Sequence, residues 1–119
     1  MEFKFVYDEE NDVLSIFNFE FKPSESVEIS ENIILDINKE GFVVGLQILD
    51  ASEFFYNFDN RMDKSYLKNL ENVELKDKEY RNNWFIILLM KSKGFEVIQP
   101  PMPLLRKSEY KSPLLCERF

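Results

Sequence analysis

Acid–base chemistry in this chain would have to come from carboxylates, Tyr, Lys or one Cys, and carboxylates are the most numerous of these. There is no His, and the single Cys, Cys116, stands fourth from the end. Without an imidazole, a Ser-His-Asp triad, a His general base and a His-ligated zinc are all excluded. Four acids crowd the stretch Asp8-Glu9-Glu10-Asn11-Asp12. A hard divalent cation wants several oxygens from a sharply folded loop, usually one with a Gly. This loop has no Gly and no EF-hand spacing, so it reads as a solvated hairpin tip. Asp36 and Asp50 invite comparison with the carboxylate pair of a glycosidase. Nothing else marks a sugar cleft, and a turn-end Asp and a helix cap account for them. Cys116 precedes Glu117 and Arg118, where a prenylation box needs aliphatic residues. It also lacks a His partner for a nucleophilic role. No residue is therefore assigned to catalysis, a metal or a cofactor. The expectation is a protein that is not an enzyme and carries no cofactor.

Binding chemistry has three candidates. Glu28 and Glu31, around Ser30, read either as charge that protects an edge strand or as a partner contact; protection is the favoured reading. Glu28, Glu31 and Asp36 are the candidate partner-binding residues. Lys64, Lys68, Lys76, Lys78 and Arg81, with Tyr66, Tyr80 and Trp84 among them, have the composition of a single-strand nucleic-acid face. No RRM aromatic block or helix-turn-helix accompanies them, which argues against it. Pro100-Pro101-Met102-Pro103 matches P-x-x-P but reads as a rigid connection.

These residues need elements to hold them. Phe3, Phe5 and Tyr7 alternate with Lys4 and Val6, a strand period. Val13-Leu14-Ser15-Ile16-Phe17 returns after the acidic turn as the second half of a hairpin. Val27-Glu28-Ile29 is a short strand, and Ser30-Glu31-Asn32 is a turn or bulge. Ile33, Leu35 and Ile37 face one way and Asp36 the other. Asn38-Lys39-Glu40-Gly41 is a turn, and Val44, Leu46 and Ile48 line the inner side of the next strand. Asp50 with Glu53 reads as a capping box opening a helix that lays Phe54, Phe55 and Phe58 on the sheet. Asp63 opens a second short helix through Tyr66, Leu67 and Leu70. Val73–Lys76, the seven-residue apolar run Trp84–Met90 and Phe95–Ile98 then read as a three-stranded meander, its middle strand covered on both faces. The three prolines stop the sheet. An extended tail follows, docked through Leu104, Leu105, Leu114 and Leu115. The fold class is α+β, mainly β: an antiparallel sheet of hairpins ending in a short helix, then the meander. Residues 1–58 and 59–119 are the two units, packed as one compact domain.

Three blocks carry a resemblance. They are Tyr7-Asp8 with Asp12-Val13-Leu14-x-Ile16, then Val27-Glu28-Ile29-Ser30-Glu31-Asn32-Ile33-Ile34-Leu35-Asp36, then Gly41-x-Val43-Val44-Gly45-Leu46-Gln47-Ile48-Leu49-Asp50-Ala51-Ser52. In this order and spacing, roughly residues 3–57 resemble the small prokaryotic domain-of-unknown-function family numbered 2283. The resemblance implies a compact antiparallel sheet ending in a short helix, in a bacterium or archaeon. That family has no established activity. Some members are encoded beside small ribonuclease-like toxins and have been proposed as their antitoxins.

Composition bounds the rest. The 119 residues, 14.3 kDa and 45% hydrophobic, suffice for one core. No apolar run approaches the roughly 20 residues of a bilayer span. The start, MEFKFVYDEEND, lacks the basic and apolar regions of a signal peptide, so a cytoplasmic protein without membrane contact is expected. Of the net charge of −7, residues 1–60 hold 3 Lys against 14 acids, −11, and residues 61–119 hold 12 basic against 8 acidic residues, +4. An acidic chain is a poor generic nucleic-acid binder. The leading expectation is a non-catalytic, self-associating or protein-binding module, a homodimer. The alternative is an antitoxin-like neutraliser whose acidic half masks a small basic ribonuclease-like toxin, and a carboxylate-based enzyme or a single-stranded nucleic-acid binder ranks below both.

Overall fold

A computed structural model describes residues 3–18 and 20–112. The first half forms five strands: β1 (Lys4–Asp8), β2 (Val13–Phe17), β3 (Glu25–Glu28), β4 (Ile33–Ile37) and β5 (Val43–Leu49). All pair antiparallel, in the order β1-β2-β5-β4-β3. The last strand in sequence thus lies at the centre. β5 is the longest of the five and the most buried, and as the central strand it is paired along both edges. The helices α1 (Ala51–Phe58) and α2 (Lys64–Lys68) follow, and then β6 (Leu70–Glu79), β7 (Asn83–Ser92) and β8 (Leu104–Arg106) make a second antiparallel sheet in that order.

Period-2 alternation decides which side chains go inward. Leu14, Ile16, Leu35, Leu46 and Ile48 from the first sheet are buried in one hydrophobic cluster with Trp84, Ile86, Leu88 and Met90 from β7. Phe55 of α1 and Tyr66 and Leu67 of α2 complete it. The segment after β8 ties the halves together. The Val43 amide donates to the Lys111 carbonyl at 2.9 Å, the Lys111 amide to the Gly41 carbonyl at 3.0 Å, and the Trp84 indole to the Tyr110 carbonyl at 2.9 Å. Ser112 Oγ donates to the Asp77 carboxylate.

Gly45 is needed for a close approach. A Cβ there would stand 3.0 Å from Asp36 Oδ2 and 3.3 Å from the Ile16 carbonyl oxygen. The glycine lets Asp36 lie across the sheet between its partners.

Four expectations are corrected. The third strand of the second sheet is Leu104–Arg106, not Phe95–Ile98. Ile98 and Met90 exchange both backbone hydrogen bonds at 2.9 Å, but only as an isolated bridge. In an antiparallel ladder the next exchanging pair would put Pro100 opposite Leu88. Pro100 has no N–H to give, which stops the ladder on that side; on the other side the next pair would be Glu96 with Ser92, but the Ser92 carbonyl takes the Phe95 amide at 3.1 Å in a tight turn instead. The run Trp84–Met90 is buried on one face only. Its outer residues Phe85, Ile87 and Leu89 are half-buried. In α1, Phe55 is buried and Phe54 half-buried, but Phe58, the helix's last residue, is 48% exposed. In the tail Leu105 is buried while Leu104 is 57% exposed. Leu114, Leu115 and Cys116 lie outside the described residues.

The single bridge makes a prediction for amide hydrogen exchange followed by NMR. The Met90 and Ile98 amides exchange slowly, and the Glu96 and Val97 amides, which make no backbone bond in this structure, exchange fast. Protection at Glu96 to match Ile98 would reinstate the meander.

Candidate functional site

The acidic turn between β1 and β2 is not merely a solvated tip. Asp8 holds the turn itself, accepting from the Asn11 amide at 3.1 Å and from Asn11 Nδ2 at 2.8 Å. The Asn11 side chain and amide lower the Asp8 carboxyl below the ordinary carboxylate range. Asp12 does something different. Its φ of 55° turns it out of the strand direction, in the left-handed region that Asp tolerates better than most residues. Its carboxylate then reaches α1. The Ser52 amide donates to Oδ1 at 3.0 Å, Ser52 Oγ to Oδ2 at 2.6 Å and the Tyr7 hydroxyl to Oδ1 at 2.6 Å. The Asp12 carbonyl takes the Ala51 amide at 2.9 Å. Two otherwise orphaned donors of the first helical turn are satisfied from a residue 40 positions away.

The capping box Asp50–Glu53 is therefore corrected. Asp50 sits at φ 49° and makes no side-chain cap bond, because Asp12 already holds the amides. Burial alone would raise the Asp12 carboxyl, but the donors from Ser52 and Tyr7 outweigh it and hold it below the ordinary value. Tyr7 is pushed above the ordinary phenol range, first by burial and then by its bond to Asp12.

Asp36 lies on the outer face of the first sheet. It accepts from Ser26 Oγ at 2.7 Å and from Gln47 Nε2 at 3.1 and 3.2 Å, in a polar row across β3, β4 and β5. Glu28 is exposed on β3, an edge strand, and its register partner is Ile34. Glu31 is exposed in the Ser30–Asn32 turn, where Ser30 Oγ takes the Ile33 amide at 3.2 Å. The three candidates do not converge. Glu28 and Asp36 share the outer face of the sheet. Glu31 lines a separate open cavity of about 620 Å³ with Asp50, Glu53, Phe54 and Phe58.

The basic–aromatic set is scattered. Tyr66 and Trp84 are each 1% exposed, with no ring face left for a base to stack on. Tyr80 is exposed, but it stacks on Phe85 at 5.9 Å with Lys78 Nζ 5.9 Å above it. Pro101 and Met102 of the proline segment line an apolar cavity of about 350 Å³ with Phe58, Phe85 and Leu104. Among the described residues no three Cys, Asp or Glu side chains are grouped to hold a metal ion, and no helix is long and apolar enough to cross a membrane.

Two features escaped the reading of the sequence. One is the Asp12 cap, whose only trace was the shared order of Tyr7, Asp12 and Ser52 in the motif blocks. The other is the half-exposed outer face of β7, which an unbroken apolar run hides.

The motif residues thus belong to one structural joint between a hairpin and a helix. Residues 4–52 match the family described as "Protein of unknown function (DUF2283)". The matched segment contains the whole first sheet and the start of α1, and it ends before the second sheet. An uncharacterized protein of Methanocaldococcus jannaschii is 36% identical over 75 residues, which is 62% of this chain and 60% of the relative. The match thus spans less than two thirds of that relative's length. No solved structure matches the chain.

The joint predicts a pH-dependent stability difference. Asp12→Ala lowers the unfolding free energy by about 1–3 kcal/mol at neutral pH, as loss of a cap together with a partly buried acceptor. A group held below its unfolded value stabilises fully above that value, near pH ~4, and the contribution fades as pH falls through the folded value. Urea titrations of the native chain and Asp12→Asn should therefore diverge most at neutral pH and converge on acidification. A gap that persists below both values would mean that the carboxylate charge is not the source.

Proposed function

We propose that this protein is a non-catalytic module that binds protein through the outer face of its second sheet. The observation that carries this reading is the row Phe85, Ile87 and Leu89, half-buried on β7, continued by Leu104 at 57% and Phe58 at 48% exposure. A contiguous apolar face of this kind is costly in water and commonly marks an interaction surface. The titratable groups with shifted pKa values are engaged in structure. Asp12 caps α1, Tyr7 bonds Asp12, and Asp59 pairs with Arg61 at 2.6 Å, which draws its carboxyl down to about 2. Their environments therefore have structural explanations and do not call for an acid–base site.

A second reading, the antitoxin-like neutraliser, is favoured by the acids of the first half. Glu10, Glu25, Glu28 and Glu31 are exposed and make no ion pair with any described residue. A basic partner would find them available.

One comparison separates the two. Tagged native protein and tagged Leu104→Glu, both checked for folding by circular dichroism, are used to capture proteins from nuclease-treated native lysate. The apolar-face reading expects a stoichiometric protein, the untagged chain included, on the native bait and its loss from Leu104→Glu. A small basic protein held equally by both baits and released by high salt supports the neutraliser instead. A native bait that retains no protein overturns both.

A further inference from the structure

The apolar face is one part of a longer strip with opposite charges at its two ends. The cavity holding Glu31, Asp50 and Glu53 and the cavity holding Phe85, Met102 and Leu104 share Phe58 and Pro101 in their linings, so the two adjoin. Glu31, Asp50 and Glu53 make no ion pair among the described residues. Beyond the apolar middle the sheet register continues the strip into positive charge. Lys78 is the cross-strand partner of Phe85, and Phe85 pairs with Leu104. Arg106, two residues on, lies on the same exposed side of β8, where it forms only a loose, solvent-exposed pair with Glu109 at 3.7 Å. The sequence across the surface is therefore acidic, apolar, basic.

Such a strip is complementary to itself. A twofold rotation about its apolar middle sets Phe58 and Leu104 against the same residues of a second copy, and the acidic end of each copy over the basic end of the other. We infer that this strip is the isologous interface of a homodimer, with a second copy of this chain as its occupant. A foreign partner would have to supply both charge signs at the right spacing, whereas a second copy has them by symmetry. The inference rests on the protein-binding reading above and specifies its partner.

Charge swapping tests it. Glu31→Lys with Glu53→Lys makes both ends basic, and Lys78→Glu with Arg106→Glu makes both ends acidic. All four side chains are exposed, so each variant should fold, and circular dichroism verifies this. Sedimentation velocity over a dilution series should show the native chain as a dimer that weakens with salt. Each double variant alone should dimerise at least about tenfold more weakly, since like charges now face each other. An equimolar mixture of the two should recover the dimer, because every contact again pairs opposite signs. Variants that dimerise as the native chain does, or a mixture that stays monomeric, overturn the strip as the interface while self-association itself stands. A native chain monomeric into the millimolar range overturns the second copy as occupant. If that chain still captures another protein in a Leu104-dependent way, the protein-binding reading survives and the occupant is foreign.

Discussion

Asp12 is the point on which the arrangement turns. Its backbone and side chain together meet the first two amides of α1, and its carboxylate also accepts from Ser52 Oγ and the Tyr7 hydroxyl. This fixes where the helix leaves the first sheet. The direction of α1 then decides where Phe55 enters the core and where Phe58 emerges beside Pro101. The acids Asp50 and Glu53 are carried on the same piece of chain, so the joint also places one end of the charged strip. A helix of eight residues has little stability of its own. It holds its place because its first turn is bonded to a hairpin and its inner face is buried.

The second sheet depends on a complementary constraint. β7 supplies the buried wall Trp84, Ile86, Leu88 and Met90, and alternation then forces Phe85, Ile87 and Leu89 outward. The sheet therefore presents an apolar outer face whatever its neighbours do. β6 covers it only at the flanks, with Glu74, Lys76 and Lys78 as cross-strand partners of Leu89, Ile87 and Phe85. The ion pair of Lys76 with Glu74, at 3.5 Å between half-exposed groups, contributes little. The ion pair of Lys68 with Glu9 at 3.4 Å, between α2 and the β1–β2 turn, is of the same kind. Burial and backbone bonding through residues 110–112, rather than surface charge, hold the two sheets together.

Much of this fold is legible in the sequence where one face of a strand is wet and the other dry. The period of two picks out β1, β2, β4 and β5, and the polar turns between them give antiparallel pairing. Asp63 as the cap of α2 is equally local, and its carboxylate does accept from the Tyr66 amide at 2.9 Å. What could not be read depends on distance along the chain or on absence of cover. Asp50 looks like a helix cap because local rules consider only neighbours, and Asp12 is remote. Phe95–Ile98 looks like a strand because its own residues allow it, and the obstacles lie at its two ends, in the tight turn that bonds the Phe95 amide to the Ser92 carbonyl and in the missing N–H of Pro100. An uninterrupted apolar run does not say whether its second face is covered. Glu28, Glu31 and Asp36 were linked by proximity in sequence, but the β3–β4 turn sends Glu31 to a different surface.

The central claim is that one strip, from the acids near α1 across Phe58 and Leu104 to Lys78, meets its own copy. A dilution series of two-dimensional amide NMR spectra tests it residue by residue. The account predicts concentration-dependent shifts at Glu53, Phe58, Lys78, Phe85 and Leu104, moving together with one dissociation constant, while Glu28 and Asp36 stay still. Shifts confined to β3, or none at any concentration, would contradict it.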